Sequence, residues 1–84
     1  MGKTANSRFT TLDIYLAAFL LLYGIKPDLE LLNGRVIFSF PATGQLYEGV
    51  MIYNAGSEVR VTEFVTAVKM LRGQMLTLRD RKIV

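Results

Sequence analysis

A nearly unbroken apolar run from Leu12 to Tyr23 most constrains how this chain can fold. Asp13 is its only polar residue, and Gly24 follows it. As a helix the run would be about 18 Å long, well short of the roughly 30 Å hydrocarbon core of a bilayer. A helix that is apolar on every side has no face to give to water. We therefore expect the run to be either the central helix of a small domain or half of an oligomer interface.

The residues that flank this run predict where the helix begins and ends. Thr10 or Thr11 can accept a hydrogen bond from an exposed backbone N–H at the start. Gly24 can adopt the left-handed conformation that ends many helices, and Pro27 prevents continuation.

A hairpin is the clearest local signal that follows. Asn33-Gly34 lies between two apolar runs and predicts a two-residue turn. Pairing outward from the turn sets Leu32 against Arg35 and Leu29 against Phe38, and successive pairs alternate faces. One face then holds Leu29, Leu31, Val36, Phe38 and Phe40, and the other holds Asp28, Glu30, Leu32, Arg35, Ile37 and Ser39. A half-buried sheet requires this division.

The next segment predicts a second helix from Gln45 to Asn54, capped by Thr43, with Gly49 in its interior. Gly49 costs about 1 kcal/mol there unless another part of the chain packs closely against it. The alternative is a strand over residues 50–53, whose content is apolar and aromatic. Periodicity cannot separate the two over so short a run.

The last third predicts a short strand and a long helix. Residues 58–61 alternate like a strand, and Thr62 can cap a helix that has Glu63 in its first turn. An amphipathic stripe with spacings of 4, 3, 4 and 3 follows: Phe64, Val68, Leu71, Met75 and Leu78.

These elements predict one α+β domain in the order α-β-β-α-β-α. A small sheet based on the hairpin would be covered on one face by the first and last helices. We expect residues 1–7 to form a disordered N-terminal tail, residues 8–79 the domain, and residues 80–84 a charged C-terminal tail.

Composition argues against catalysis. The 84 residues include no histidine and no cysteine, which removes the commonest general base, the thiolate nucleophile and the usual zinc ligands. Five of the seven acidic residues read as helix-start, strand-surface or tail residues, and no pair among the seven stands out. We expect no enzymatic activity, no metal, no cofactor and no small-molecule substrate.

Positive charge is concentrated at the C-terminal end. Residues 13–63 carry a net −3 and residues 64–84 a net +4. The basic residues of the second segment are the candidate nucleic-acid-binding residues: Lys69, Arg72, Arg79, Arg81 and Lys82. Such a face could follow a phosphate backbone. The alternative is that basic side chains near a helix C-terminus favour the helix dipole and solubilise that face. The tyrosines at positions 15, 23, 47 and 53 could stack on bases, but each lies in an apolar helix and is more simply explained as a core residue.

The residues thus favour a small interaction or accessory protein that acts through protein contacts or self-association, as a homo-oligomer or with another protein. The alternative is a nucleic-acid-binding module that uses the basic face. The 51% hydrophobic content favours association. We expect no membrane association, and the absence of cysteine is compatible with a reducing cytoplasm.

Several segments also resemble a group of small bacterial and phage-associated proteins classed as a domain of unknown function. The resemblance lies in Phe9 to Leu20, in Gly34 to Phe40, in Tyr53-x-x-Gly56 and in Glu63 to Arg72. It covers about residues 8–78 and consists mostly of capping and core residues. The resemblance implies a shared fold and a bacterial or mobile-element origin, and it implies no activity.

Overall fold

A computed structural model describes residues 7–83, with side chains described for residues 7–80. Most of the expected N-terminal tail, residues 1–6, lies outside the described part. The elements in chain order are β1 (Arg8–Thr11), α1 (Ile14–Leu22), β2 (Asp28–Leu32), β3 (Arg35–Pro41), α2 (Gly44–Asn54) and α3 (Val61–Ile83). The α+β class is confirmed, and the observed order is β-α-β-β-α-α.

The predicted hairpin is confirmed in turn and in register. Asn33 and Gly34 have φ values of +53° and +81°, as a two-residue hairpin turn requires. The paired residues run from Leu32 with Arg35 to Leu29 with Phe38, and the pairing continues to Asp28 with Ser39. The apolar face of the hairpin is therefore the face that the helices cover.

The position predicted for the third strand is wrong. Residues 58–60 are irregular and residue 61 begins α3. No described strand pairs with this segment, so Val59 and Val61 remain 38% and 74% exposed. The third strand is β1, which pairs antiparallel with the other side of β3 and gives the order β1-β3-β2. Within β1, Phe9 and Thr11 lie partly buried while their neighbours are exposed.

The first helix begins later than predicted. Thr10 and Thr11 belong to β1, and the N-cap is Asp13, whose carboxylate accepts from Tyr15 N at 2.9 Å. Its end is as predicted. Gly24 has φ +104°, and Ile25 N donates to Leu20 O across the last turn.

This helix is the centre of the domain. Three of its residues, Ala17, Ala18 and Leu20, have no exposed surface. It contacts the sheet, α2 and α3. The expectation of a central helix is thus met, although Tyr15 and Leu22 remain 51% and 40% exposed.

The helix predicted over residues 45–54 is confirmed as α2, with Thr43 Oγ1 accepting from Leu46 N at 3.1 Å. Gly49 lies against α1. An ideal Cβ built on it would be 2.9 Å from Leu20 Cδ2 and 3.0 Å from Tyr23 Cδ2. The missing side chain therefore allows α1 and α2 to pack closely.

The long helix α3 carries the predicted stripe. Val68 and Leu71 are buried, and Phe64, Met75 and Leu78 are partly buried. Its cap differs from the prediction: Thr62 is already helical, and Phe64 N donates to Arg60 O at 2.9 Å. The helix continues to Ile83, so most of the expected charged tail at residues 80–84 has helical backbone.

On the opposite face of the sheet, no helix packs among the residues that the structure describes, and Arg8 crosses this face. The Arg8 guanidinium donates to Ser39 Oγ at 2.9 Å and to the Asp28 carboxylate at 2.7 Å. It thereby links β1, β3 and β2, and Ser39 is only 1% exposed beneath it. This link holds the short strand β1 to the hairpin.

Candidate functional site

Three of the five candidate basic residues lie together on the exposed side of α3. Lys69, Arg72 and Arg79 are all exposed. At about 100° per residue, Arg72 lies about 60° from Lys69 around the helix, and Arg79 about 20° from Arg72. Arg81 and Lys82 belong to the same helix, but their side chains lie outside the described part of the chain.

Exposed apolar side chains lie on the same face as these charges. Val61, Val65 and Leu76 are 74%, 42% and 52% exposed. Together with the three basic residues they form what we call the outer face of α3: Val61, Val65, Lys69, Arg72, Leu76 and Arg79. From Val65 onward the spacings are 4, 3, 4 and 3. The outer face therefore repeats the pattern of the buried stripe, displaced by one residue, and can pair with another helix in the same way.

The charges of the outer face are available to a partner. Two ion pairs occur among the described side chains, Arg8 with Asp28 at 2.7 Å and Arg60 with Glu63 at 4.0 Å. Neither involves a basic residue of the outer face. The local charge there is positive and uncompensated by any described ion pair.

A further arginine, which sequence reasoning did not assign to the site, approaches from the hairpin. Arg35 and Arg79 both line a depression of about 250 Å³ whose other walls include Leu12, Val36 and Met75. The pattern placed Arg35 only on the water-facing side of a strand. The antiparallel hairpin and the length of α3 bring Arg35 near Arg79. No spacing in the sequence predicts that these two residues lie close together.

The four tyrosines divide into two pairs. Tyr15 and Tyr47 are about half exposed, and the Tyr15 ring stacks on Phe64 with centroids 6.2 Å apart. Tyr23 and Tyr53 instead pack against Phe19, at 6.2 and 5.4 Å. Burial, and then the negative charge of Glu48, raises the pKa of the Tyr23 phenol. Tyr23 and Tyr53 are thus mainly packing residues.

The described residues offer no metal centre. Within residues 7–80 no three side chains of the metal-binding types His, Cys, Asp and Glu gather at one point. Among residues 7–83, none of the helices has both the length and the apolarity needed to cross a bilayer.

The fold and this surface define a small α+β domain with a three-stranded sheet and an exposed, partly basic helix. The chain belongs to the family described as "Domain of unknown function (DUF5659)", whose sequence model matches residues 6–77. No curated protein and no solved structure matches the chain. The match spans every element except the last turns of α3.

Proposed function

We propose that this protein is a non-enzymatic interaction or accessory module that contacts a protein partner through the outer face of α3. The partner surface would carry carboxylates and apolar side chains. The observation that carries the proposal is the presence of both exposed apolar and exposed basic side chains along one helix face. Apolar area drives association, and complementary charge selects the partner and its orientation.

Nucleic-acid binding is the second candidate, and the basic residues favour it. Lys69, Arg72 and Arg79, followed by Arg81 and Lys82, could each neutralise a phosphate. Val61, Val65 and Leu76 would gain nothing from contact with phosphates, however. Protein binding accounts for both kinds of side chain, so we prefer it.

Self-association through this face is less favoured than binding to a different protein. Two copies paired along α3 would place basic side chains against basic side chains, which is destabilising. A homo-oligomer would therefore need another surface on at least one of its subunits.

Two sets of exposed substitutions separate these alternatives. One reverses charge, with Lys69, Arg72 and Arg79 changed to Glu. The other removes apolar area, with Val61, Val65 and Leu76 changed to Ser. All six positions are exposed, so both variants are expected to fold, which circular dichroism would check.

Each variant would be titrated by fluorescence anisotropy against two probes. The first is a helical peptide with leucine along one stripe and glutamate beside it. The second is labelled nucleic acid, single- and double-stranded, at ~50 and ~200 mM salt. Protein binding predicts that the peptide binds and that both variants lose it. Nucleic-acid binding predicts a salt slope of about −0.7 to −0.9 per phosphate contacted and loss in the charge variant alone. Binding of neither probe by the unmodified protein would refute both proposals.

The resemblance of the sequence to bacterial and phage-associated proteins supports a bacterial or mobile-element origin, which we include in the proposal. The cysteine-free composition supports action in a reducing cytoplasm. Fractionation of a producing cell would test the compartment.

A further inference from the structure

Among the described residues, no strand lies beside residues 35–37 on one edge of the central strand. β1 pairs with β3 only from Phe38 to Pro41. On the other edge of β3, β2 pairs with the residues from Arg35 to Ser39. On the β1 side, the edge formed by residues 35–37 is therefore open, because the chain bends away after Thr11 to begin α1.

The register fixes which backbone groups this open edge presents. In a two-residue hairpin the residues that flank the turn bond each other, so the N–H and C=O of Arg35 point to β2. Alternation along the strand then directs the N–H and C=O of Val36 to the open side. No turn or loop hydrogen bond joins them to another described residue. An extended segment placed here could bond to Val36 on both sides.

Two depressions flank this edge, one on each face of the sheet. The first, of about 250 Å³, lies toward α3 and includes Val36, Met75 and Arg79. The second, of about 560 Å³, lies on the helix-free face and includes Leu32 and Ile37. Leu12 and Arg35 line both, so the two depressions adjoin at the edge. Side chains of an extended peptide alternate in direction and would enter the two depressions in turn.

The charge of these depressions selects the peptide. Arg35 and Arg79 are the charged residues among the described side chains that line them, and no acidic residue does. Each of three other depressions on the described surface includes an acidic residue: Asp28, Glu63, or Glu58 with Glu63. The apolar walls with two guanidinium groups beside them suit an apolar side chain that carries a carboxylate nearby.

We propose that the open edge of β3 at residues 35–37 docks a short extended peptide with an apolar side chain next to a carboxylate. The peptide extends the sheet by bonding to Val36, and its carboxylate pairs with Arg35 or Arg79. This inference rests on the proposed binding of a protein partner and assigns that partner a second contact at the end of the outer face. The carboxylate can be the C-terminus of the partner or an acidic side chain.

Amide exchange tests the open edge itself. In the free protein, the Val36 amide is expected to exchange much faster than the Phe38 amide, which pairs with Thr11 in β1. Equal protection of the two amides would overturn the inference, because it would show that the edge is already closed.

Peptide titration followed by amide chemical shifts tests the ligand. Three acetylated tetrapeptides serve as probes: one ending in leucine with a free carboxylate, one amidated with glutamate after the leucine, and the amidated peptide with glutamine in its place. Shifts at residues 35–37 and 79 and slower exchange at Val36 are expected with the first or second probe. The first alone identifies a C-terminus, and the second alone an internal acidic residue. No binding by either, or equal binding by the glutamine peptide, would overturn the inference.

Matched charge reversals locate the contact. Arg35→Glu is expected to weaken binding at least about tenfold, as loss of one charge-assisted hydrogen bond would. Lys26→Glu makes the same change in net charge at an exposed position that lines neither depression and is expected to leave binding unchanged. Equal loss in both variants would overturn the assignment. Because these probes are too short to reach along α3, their failure leaves the helical-peptide result as a separate test of the proposed function.

Discussion

Replacing Gly49 with Ala should destabilise this protein, although the same change stabilises most helices. An interior glycine costs a helix about 1 kcal/mol relative to alanine. At position 49, however, the new Cβ would lie 2.9 Å from Leu20 Cδ2 and 3.0 Å from Tyr23 Cδ2. Carbon atoms in contact prefer about 3.5–4.0 Å, so either these two side chains or the helices that carry them would have to shift.

The loss of stability depends on how far the side chains around position 49 can move. Leu20 has no exposed surface and cannot turn into solvent. Overpacking of such a site costs about 1–3 kcal/mol, against the gain of about 1 kcal/mol in helix propensity. We expect Gly49→Ala to lower the free energy of unfolding by about 1 kcal/mol, and Tm by about 4–8 °C for a domain of this size.

Gly73 offers the matched control. It is exposed in the middle of α3, and a Cβ there would meet nothing within 4 Å. Gly73→Ala should therefore raise the unfolding free energy by about 1 kcal/mol. Thermal and urea unfolding of both variants measure the difference in sign. Stabilisation by both substitutions would refute the close packing of α1 on α2.

Three further substitutions test other features of the fold. Gly34→Ala should cost about 1–2 kcal/mol in urea unfolding, because φ is +81° there; an unchanged midpoint would contradict the turn assignment. Arg8→Met leaves the buried hydroxyl of Ser39 without its partner and should cost about 1–2 kcal/mol by thermal unfolding, whereas an unchanged Tm would show that Arg8 does not hold the sheet. The folded chain holds the Tyr23 proton more tightly than the unfolded chain, since its pKa is raised by burial and by Glu48. That stabilisation is complete below pH ~10 and is lost as pH rises through the folded-state pKa, so Tyr23→Phe should move alkaline unfolding, followed by circular dichroism, to higher pH; an unmoved midpoint would contradict it.

Local sequence signals correctly predicted the turns and helix ends, which depend on only a few neighbouring residues. The Asn33-Gly34 turn sets the φ values and hence the register of β2 and β3, and the prediction matches pair by pair. Gly24 and Thr43 mark helix ends in the structure as predicted, with positive φ at Gly24. Each of these signals acts through the backbone of a few neighbouring residues.

The misplaced strand shows where local signals fail. Residues 8–11 and residues 58–61 both alternate in the way a short strand does, and only the first has a partner. What decides between them is access to the free side of β3, and that depends on the path of the whole chain. Because Thr10 and Thr11 also fit a helix cap, the sequence pattern assigns them to the first helix and does not predict β1.

The sequence predicted only part of the candidate site, because the other part depends on the path of the whole chain. Lys69, Arg72 and Arg79 share a helix face, which follows from helical spacing alone. The convergence of Arg35 with Arg79 depends on how α3 lies along the hairpin, and the open edge at Val36 depends on β1 ending at Thr11. Such features require the tertiary structure.

The short strand β1 also sets the order in which this domain can assemble. The hairpin strands meet across a two-residue turn, a closure that takes about 1–10 μs. Arg8 and Ser39 are 31 residues apart in the chain, so their contact must close a much longer loop than the hairpin turn does, at a larger cost in chain entropy. Within the sheet, β1 is therefore expected to pair with β3 after the hairpin has formed. During synthesis β1 leaves the ribosome before the hairpin does. Its four residues therefore remain unpaired until β3, which ends at Pro41, has also emerged.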